Sequence, residues 1–92
     1  MELRQFDYKV PNGKLIRVSA KVRENKIASI RITGDFFLHP EERIVDLEKS
    51  LVGKKLEKAT LQRVVEKSLA GCEMAGISPE ELINALLRLQ MP

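Results

Sequence analysis

The sequence predicts an α+β fold, in which a three-stranded antiparallel sheet is followed by three helices packed on one face. Two observations carry this prediction. The first third of the chain alternates apolar and polar residues with period two, which is typical of half-buried strands. From Pro40 onward the apolar residues recur with the period of a helix. The length of 92 residues predicts a single domain over residues 1–92.

Three predicted strands each place alternate residues on one face. The core-facing sets are Phe6, Tyr8 and Val10, then Ile16, Val18, Ala20 and Val22, then Ala28, Ile30 and Ile32. Pro11-Asn12-Gly13 and Glu24-Asn25 supply the turns, and such short connections make neighbouring strands antiparallel. The opposite faces carry polar residues: Arg17, Ser19, Lys21, Ser29, Arg31 and Thr33. The sheet is therefore expected to be covered on one side only.

Three amphipathic segments predict the helices. Their apolar residues are Ile44, Leu47 and Leu51, then Leu61, Val64, Val65 and Leu69, then Leu82, Ile83, Leu86 and Leu87. Gly53 and Gly71 follow the first two patterns, as expected for helix C-termini. Ser78 precedes Pro79 and Glu81 in a capping-box pattern at the start of the third helix. We interpret His39-Pro40-Glu41-Glu42 as a second use of the same helix-start device, since Ser78-Pro79-Glu80-Glu81 matches it.

Composition argues against several classes of protein. The net charge of +3 arises from 16 basic and 13 acidic residues interleaved along the chain, which indicates no concentrated basic patch. Trp is absent and aromatic residues are few, so a nucleic-acid partner is not expected. The only cysteine, Cys72, excludes an internal disulfide and any multi-thiolate metal site, and fits a reducing cytoplasm. No apolar run reaches the roughly 20 residues of a membrane span, and no signal peptide is evident, so we expect a soluble, unprocessed protein.

The residues available for catalysis are few. His39 and Cys72 would form a nucleophile and base only if the fold brought them together, and a cysteine beside Gly71 is ordinarily a small core residue. The ring of His39 either accepts a hydrogen bond from a first-turn amide, lies at the surface, or contacts a ligand. The five glycines are scattered and form no phosphate-binding loop. We expect no catalytic residue and no metal site in this chain.

The segment Gly34-Asp35-Phe36-Phe37 is the strongest candidate for function, because a turn from strand to helix does not require two adjacent aromatics. Asp35 either caps the turn or contacts a partner. In extended chain, adjacent side chains point to opposite faces, so one ring enters the core and the other is an interface anchor. The alternative is a bend that buries both rings. The candidate partner-binding residues are Gly34, Asp35, Phe36, Phe37 and His39.

Residues 13–18, 27–37, 51–56 and 76–82 resemble the C-terminal accessory domain of lipoate-protein ligases, and the resemblance covers nearly the whole chain. With no catalytic domain in these 92 residues, the chain looks most like the free-standing small subunit of the bipartite ligases of some archaea. The resemblance implies a heterodimer with a catalytic subunit that binds lipoate, ATP and Mg²⁺. It also implies that the small subunit binds no cofactor alone and meets lipoyl-domain acceptor proteins only indirectly.

In that family the complex activates lipoate to lipoyl-AMP and then transfers it to a lysine of a lipoyl domain. The accessory part is implied to be non-catalytic and to be needed for activation more than for transfer. The resemblance also implies a SufE/NifU-like sandwich, the fold of the iron-sulfur scaffold proteins. An iron-sulfur scaffold, a generic protein-interaction module and a small nucleic-acid binder are the alternatives. A scaffold would need several cysteines near the strand-to-helix turn, where this chain has Gly34, Asp35 and Phe36.

Overall fold

A three-stranded antiparallel sheet forms one layer of the molecule. The computed structural model describes residues 2–10 and 14–90. The strands β1 (Glu2–Lys9), β2 (Leu15–Arg23) and β3 (Lys26–Gly34) lie in the order β1-β2-β3. Val18 on the central strand faces Phe6 on one side and Ile32 on the other. The predicted meander is confirmed, while the turn signal Pro11-Asn12-Gly13 lies outside the described residues.

A β-bulge changes which residues of β3 face the core. Lys21 faces Ser29 and Val22 faces Ile27, so Ala28 is an extra residue on β3. A bulge of this kind shifts the inward and outward alternation by one position. Ile27 is therefore buried at 1% exposure, and Ala28 is only half-buried. The sequence predicted that Ala28 shares the core face with Ile30 and Ile32. This was wrong for Ala28, because the bulge gives the core position to Ile27. A strict period of two cannot reveal an inserted residue.

Three helices follow the sheet as predicted. They are α1 (Glu42–Leu51), α2 (Lys58–Ser68) and α3 (Pro79–Leu87), and a 3₁₀ turn (Arg88–Gln90) extends α3. Helix α1 packs beside β3, α3 packs on β2, and α2 lies against α1 and α3. Aliphatic side chains from all these elements fill the core, including Ile16 and Val18 from the sheet and Leu47, Leu61 and Leu86 from the helices. Among the described residues, no helix is long and apolar enough to cross a membrane.

The two predicted helix starts differ. At α3 the capping box is confirmed: the Ser78 hydroxyl accepts from the Glu81 backbone N–H at 3.2 Å, and the Glu81 carboxylate accepts from the Ser78 N–H at 2.9 Å. At α1 the N-terminal cap is Glu41, whose side chain makes no capping hydrogen bond. His39 ends a strand two residues earlier. The interpretation of His39-Pro40-Glu41-Glu42 as a copy of this device was therefore wrong.

A second sheet of two short strands was not predicted. Its strands, β4 (Phe37–His39) and β5 (Glu73–Ala75), pair antiparallel, with Leu38 facing Met74. Leu38 is buried in the core at 5% exposure, and Met74 packs against that core. Three residues are too few for an alternating pattern to stand out in the sequence. This small sheet joins the residues after β3 to the connection between α2 and α3.

The outer edge of β3 is covered by the chain itself. The Glu48 carboxylate on α1 accepts a hydrogen bond from the Ile32 backbone N–H at 2.6 Å. Further along the edge, the Ile27 N–H donates to the Lys54 carbonyl at 3.0 Å, and the Leu56 N–H donates to the Asn25 carbonyl at 3.0 Å. These bonds satisfy edge groups that would otherwise need water or another strand.

Candidate functional site

Gly34 permits the sharp exit from β3. Its φ is +156°, and a Cβ atom placed there would lie 2.2 Å from the backbone oxygen of Leu15. The following Asp35 N–H donates to that same oxygen at 2.9 Å. Only glycine fits such a close backbone approach. Gly34 thus has a structural reason to be present that is independent of any partner.

Of the two alternatives for Asp35, a turn cap is not observed, because the side chain is exposed and makes no hydrogen bond to any residue in ranges 2–10 and 14–90. The turn is held instead by backbone contacts. One of these is a close approach from Gly76, where a Cβ atom would lie 3.3 Å from the Asp35 carbonyl oxygen and 3.5 Å from Lys14 Cγ. Asp35 therefore presents its carboxylate to solvent.

The two aromatic rings of the turn have different environments. Phe36 is half-buried and packs against the core, whereas Phe37 is 52% exposed. The alternative in which both rings are buried is excluded. A shallow depression of about 260 Å³ lies between the turn and the start of α1, and its lining residues are Phe36, Phe37, Leu38, Glu41 and Ile44. An exposed ring beside an apolar depression is a typical anchor point for a protein partner.

His39 lies beside the exposed ring. The ring centroids of Phe37 and His39 are 6.3 Å apart and the ring planes differ by only 2°. Both side chains are on the exposed face of β4, opposite Ala75 and Glu73 of β5. We call Phe37, His39, Glu73 and Ala75 the aromatic ledge. Glu73 and Ala75 were not predicted as site residues, because they join the site only through the unpredicted pairing of β4 with β5.

The fold brings Cys72 near His39 without making a catalytic pair. His39 faces Glu73, which is the residue after Cys72. Cys72 is half-buried and packs against the core, while His39 is exposed. The thiol is therefore packed as a small core residue would be. Within the part of the chain that the structure describes, no group of His, Cys, Asp and Glu side chains is arranged to hold a metal ion.

The solvent face of the three-stranded sheet is strongly basic. The strand positions on this face that carry charge are Lys9, Arg17, Lys21, Arg23, Lys26 and Arg31, with Asp7 as the acidic residue among the described positions. Basic residues that are interleaved in sequence meet here because alternate positions of a strand share a face. The expectation of no concentrated basic patch was therefore wrong. We call this surface the basic face.

Asp7 forms an ion pair on the basic face. Arg17 Nε donates to Asp7 Oδ1 at 2.8 Å, and a second guanidinium nitrogen lies 3.3 Å from Oδ2. The hydrogen bond from Arg17 lowers the pKa of Asp7, and the same bond raises the pKa of Arg17. Because both groups are well exposed, the pair orients two side chains and contributes little to stability.

The fold, with its exposed aromatic ledge and basic sheet face, defines the chain as a small α+β domain. Residues 5–86 match the family model described as bacterial lipoate protein ligase C-terminus. The chain belongs to this family of lipoate-protein ligase C-terminal domains.

Two comparisons with individual proteins point the same way. The chain is 38% identical over 80 residues to lipoate-protein ligase A subunit 2 of Thermoplasma acidophilum, covering 87% of this chain and 83% of that protein. It also matches a chain in a structural analysis of an archaeal lipoylation system from the same organism, comprising a bipartite lipoate protein ligase and its E2 lipoyl domain. That match has a TM-score of 0.81 at 34% identity and covers 92% of this chain and 94% of the other.

Proposed function

We propose that this chain is the non-catalytic small subunit of a two-component lipoate-protein ligase. Its relative in Thermoplasma acidophilum is named as subunit 2 of such a ligase and covers most of both chains. The catalytic subunit binds lipoate, ATP and Mg²⁺, and the heterodimer converts lipoate to lipoyl-AMP before transfer to a lysine of a lipoyl domain. The complex acts in the cytoplasm, as expected from the single cysteine.

The observation that carries the proposed role is the exposed aromatic ledge. Phe37 is half exposed although it follows a core-packed residue, and the apolar depression at the start of α1 continues from it. Aromatic side chains in such positions supply much of the binding energy of protein interfaces. The ledge is therefore the docking surface for the catalytic subunit, with Phe37 and His39 as its centre and Asp35 at its rim.

Docking at the ledge would act on catalysis through position. Lipoyl-AMP is a mixed anhydride, which water hydrolyses unless the active site is closed. A subunit seated beside the adenylation pocket stabilises the closed arrangement of the catalytic subunit and excludes water from the intermediate. No proton transfer by this chain is required, which agrees with the core packing of Cys72 and the surface stacking of His39.

The test is to mix this chain with its catalytic subunit and to follow pyrophosphate release from ATP and lipoate. We expect each protein alone to be much slower than the mixture, with a saturable dependence on the concentration of this chain. Bovine serum albumin at equal concentration controls for nonspecific stabilisation. Absence of stimulation, or pyrophosphate release by this chain alone, would overturn the proposal.

A further inference from the structure

Strand β1 leaves one edge of the three-stranded sheet unpaired. It pairs with β2 on one side, and no strand lies on its other side within residues 2–10 and 14–90. The strand extends over eight residues, contains no proline and pairs with β2 without a register shift. Proline, bulges and short length are devices that keep such an edge from pairing with another strand. Strand β1 has none of these devices, so its edge is open to strand addition.

One hydrogen bond shows which backbone groups of β1 face the open edge. The Val10 N–H donates to the Lys14 carbonyl at 2.9 Å, at the end of the β1–β2 ladder. Hydrogen-bonded positions alternate along an antiparallel ladder, so Phe6 and Tyr8 direct their backbone groups to β2. The N–H and C=O groups of the intervening residues therefore point outward. These exposed residues are Leu3, Gln5, Asp7 and Lys9.

The core beneath β1 is incompletely covered at the same edge. Phe6 and Tyr8 pack against the core but are only half-buried, whereas Val18 on the central strand is fully buried. Arg4 shares their face, and an inward charge is another device that protects sheet edges. Its guanidinium donates to the Leu89 carbonyl in the 3₁₀ turn, so this charge is bonded within the chain. The edge therefore presents apolar side chains that a neighbouring strand would cover.

Two copies of β1 fit each other in an antiparallel arrangement. A two-fold axis at Phe6, perpendicular to the sheet, places outward-pointing residues of one copy opposite outward-pointing residues of the other. Each such pair exchanges two backbone hydrogen bonds. The pairs are Leu3 with Lys9 and Gln5 with Asp7, each formed twice by symmetry. The two sheets then continue as one, with both solvent faces on the same side.

The side chains of β1 favour this register over its neighbours. On the inner face, Phe6 meets Phe6 of the second copy, and Tyr8 meets Arg4, so no like charges are opposed. An axis at Asp7 would set two carboxylates against each other, and an axis at Arg4 would oppose two guanidinium groups. An axis at Gln5 would set Phe6 against Arg4 and lose the pairing of the two rings. The register centred on Phe6 is therefore the most complementary.

We infer that β1 is a self-association edge, through which two copies of this chain form one continuous sheet with Phe6 at the two-fold axis. The inference goes beyond the proposed function and does not depend on it, since both partners are the chain described here. The aromatic ledge lies on β4 and β5, and β4 packs against α1, whereas β1 packs beside β2 and the 3₁₀ turn. Each copy in the pair therefore keeps its ledge accessible.

The first experiment measures the mass of the full chain by sedimentation equilibrium, as its concentration is raised from about 1 μM to about 1 mM. The test variant is Gln5→Pro, because the Gln5 N–H points to the open edge and its loss leaves the β1–β2 ladder intact. The matched control is Gln5→Thr, which changes the same side chain but keeps the N–H. Circular dichroism and thermal melting show whether each variant is folded.

We expect the unmodified chain to approach twice the monomer mass within this range. Gln5→Pro should raise the dissociation constant of the pair by about tenfold or more, since it removes two hydrogen bonds related by symmetry. Gln5→Thr should change that constant by less than about threefold. Added salt should not separate the pair, because backbone bonds and aromatic contact hold it. A chain that stays monomeric throughout, or a pair that Gln5→Pro does not weaken, would overturn the inference.

A second pair of variants tests the register, and it decides the matter if Gln5→Pro does not fold. Phe6→Cys places the thiols of two copies opposite each other at a Cα separation of about 4.5 to 5.5 Å, which suits a disulfide. Tyr8→Cys is the control, because position 8 faces Arg4 of the second copy. Under mild oxidation we expect only Phe6→Cys to give a covalent dimer, with the disulfide located at position 6 by peptide mass mapping. Equal cross-linking of both variants, or cross-linking through Cys72 alone, would contradict the proposed register.

Discussion

At the scale of single residues, Phe36 and Phe37 have different roles. Phe36 contributes to folding, and Phe37 is available for recognition. The two rings are adjacent in sequence, yet one packs against the core and the other is half exposed. Strand β4 begins at Phe37, so Phe36 lies in the turn before it and packs against the core from there. Substitutions at these positions should therefore affect different quantities.

Phe37→Ala should weaken binding to the catalytic subunit by roughly tenfold or more, because an exposed aromatic anchor is lost. The melting temperature of the isolated chain should stay within about 2 °C, since Phe37 contributes little to the core. Phe36→Ala should instead destabilise the isolated chain by about 2 kcal/mol through lost packing. Calorimetric titration and thermal melting measure the two effects.

Val52→Ala is the control for these variants, because Val52 is similarly exposed at 48% but lies at the end of α1, away from the ledge. Its affinity for the catalytic subunit should be unchanged. If Phe37→Ala unfolds the chain, or if Val52→Ala weakens the complex equally, the assignment of the ledge is wrong.

Gly34→Ala should reduce the free energy of unfolding by more than a positive φ at this residue alone would cause. A Cβ atom at Gly34 would meet the Leu15 oxygen at 2.2 Å and displace the hydrogen bond from Asp35. We expect a loss of about 2 to 3 kcal/mol in urea unfolding. Gly53→Ala is the matched comparison, since Gly53 has φ +85° with nothing within 4 Å of the added atom. It should cost about 1 kcal/mol, and equal losses would refute the steric explanation.

At the scale of secondary structure, the helix starts differ in what fixes them: local hydrogen bonds at α3 and tertiary contacts at α1. Helix α3 begins with a complete capping box, in which every required residue is local. Helix α1 begins at Glu42 without a side-chain cap, and tertiary contacts position it. Arg43 donates to the Ser68 carbonyl at 3.2 Å, and Glu48 binds the edge of β3.

Ser78→Ala should lower the stability of the chain by about 1 kcal/mol, because the Glu81 N–H loses its acceptor. Urea unfolding of the variant measures the loss, and helix content by circular dichroism should fall only slightly. The control is Ser50→Ala, at an exposed position inside α1 where alanine is the better helix former. A Ser78 variant as stable as the Ser50 variant would show that the capping box does not contribute.

At the scale of the whole molecule, charge is distributed very unevenly despite the modest net charge of +3. Basic side chains gather on the solvent face of the sheet, where Asp7 is already paired with Arg17. A charged surface interacts with its surroundings through its densest patch more than through its net charge. Two variants with the same net charge should therefore behave differently.

K21E/R31E should elute from a cation exchanger at clearly lower salt than K58E/R63E at pH 7. Both variants replace one Lys and one Arg with Glu, so their net charges are equal. The expected difference arises because only the first variant disrupts the basic face. Elution of the two variants at the same salt would show that retention follows net charge alone.

The sequence predicted the main sheet and the three helices because each extends over several periods of its apolar pattern. It also indicated the capping box at Ser78 and the separation of the two Phe rings, both of which depend on neighbouring residues. Three features depend on pairing between distant segments and were not predicted. They are the bulge at Ala28, the pairing of β4 with β5, and the contact of Gly34 with Leu15.

The concentration of charge on the sheet needed two observations to be combined. The basic residues are interleaved with other residues along the chain, and the period of two sends Arg17, Lys21 and Arg31 to the same side. Spacing along a strand reports which face a residue occupies, and the register between strands decides which residues become neighbours. The spacing can be read from the sequence, whereas the register is known only from the folded structure.

The covered edge of β3 limits how copies of this chain can associate. Glu48 and the backbone of residues 53–56 occupy the positions that an incoming strand would need. At the other edge, β1 has no strand neighbour among the described residues. Two copies joined through β1 would expose only covered edges, so edge-to-edge growth stops at a pair. The contact between α1 and β3 therefore obstructs the addition of another strand at this edge, in addition to completing the core.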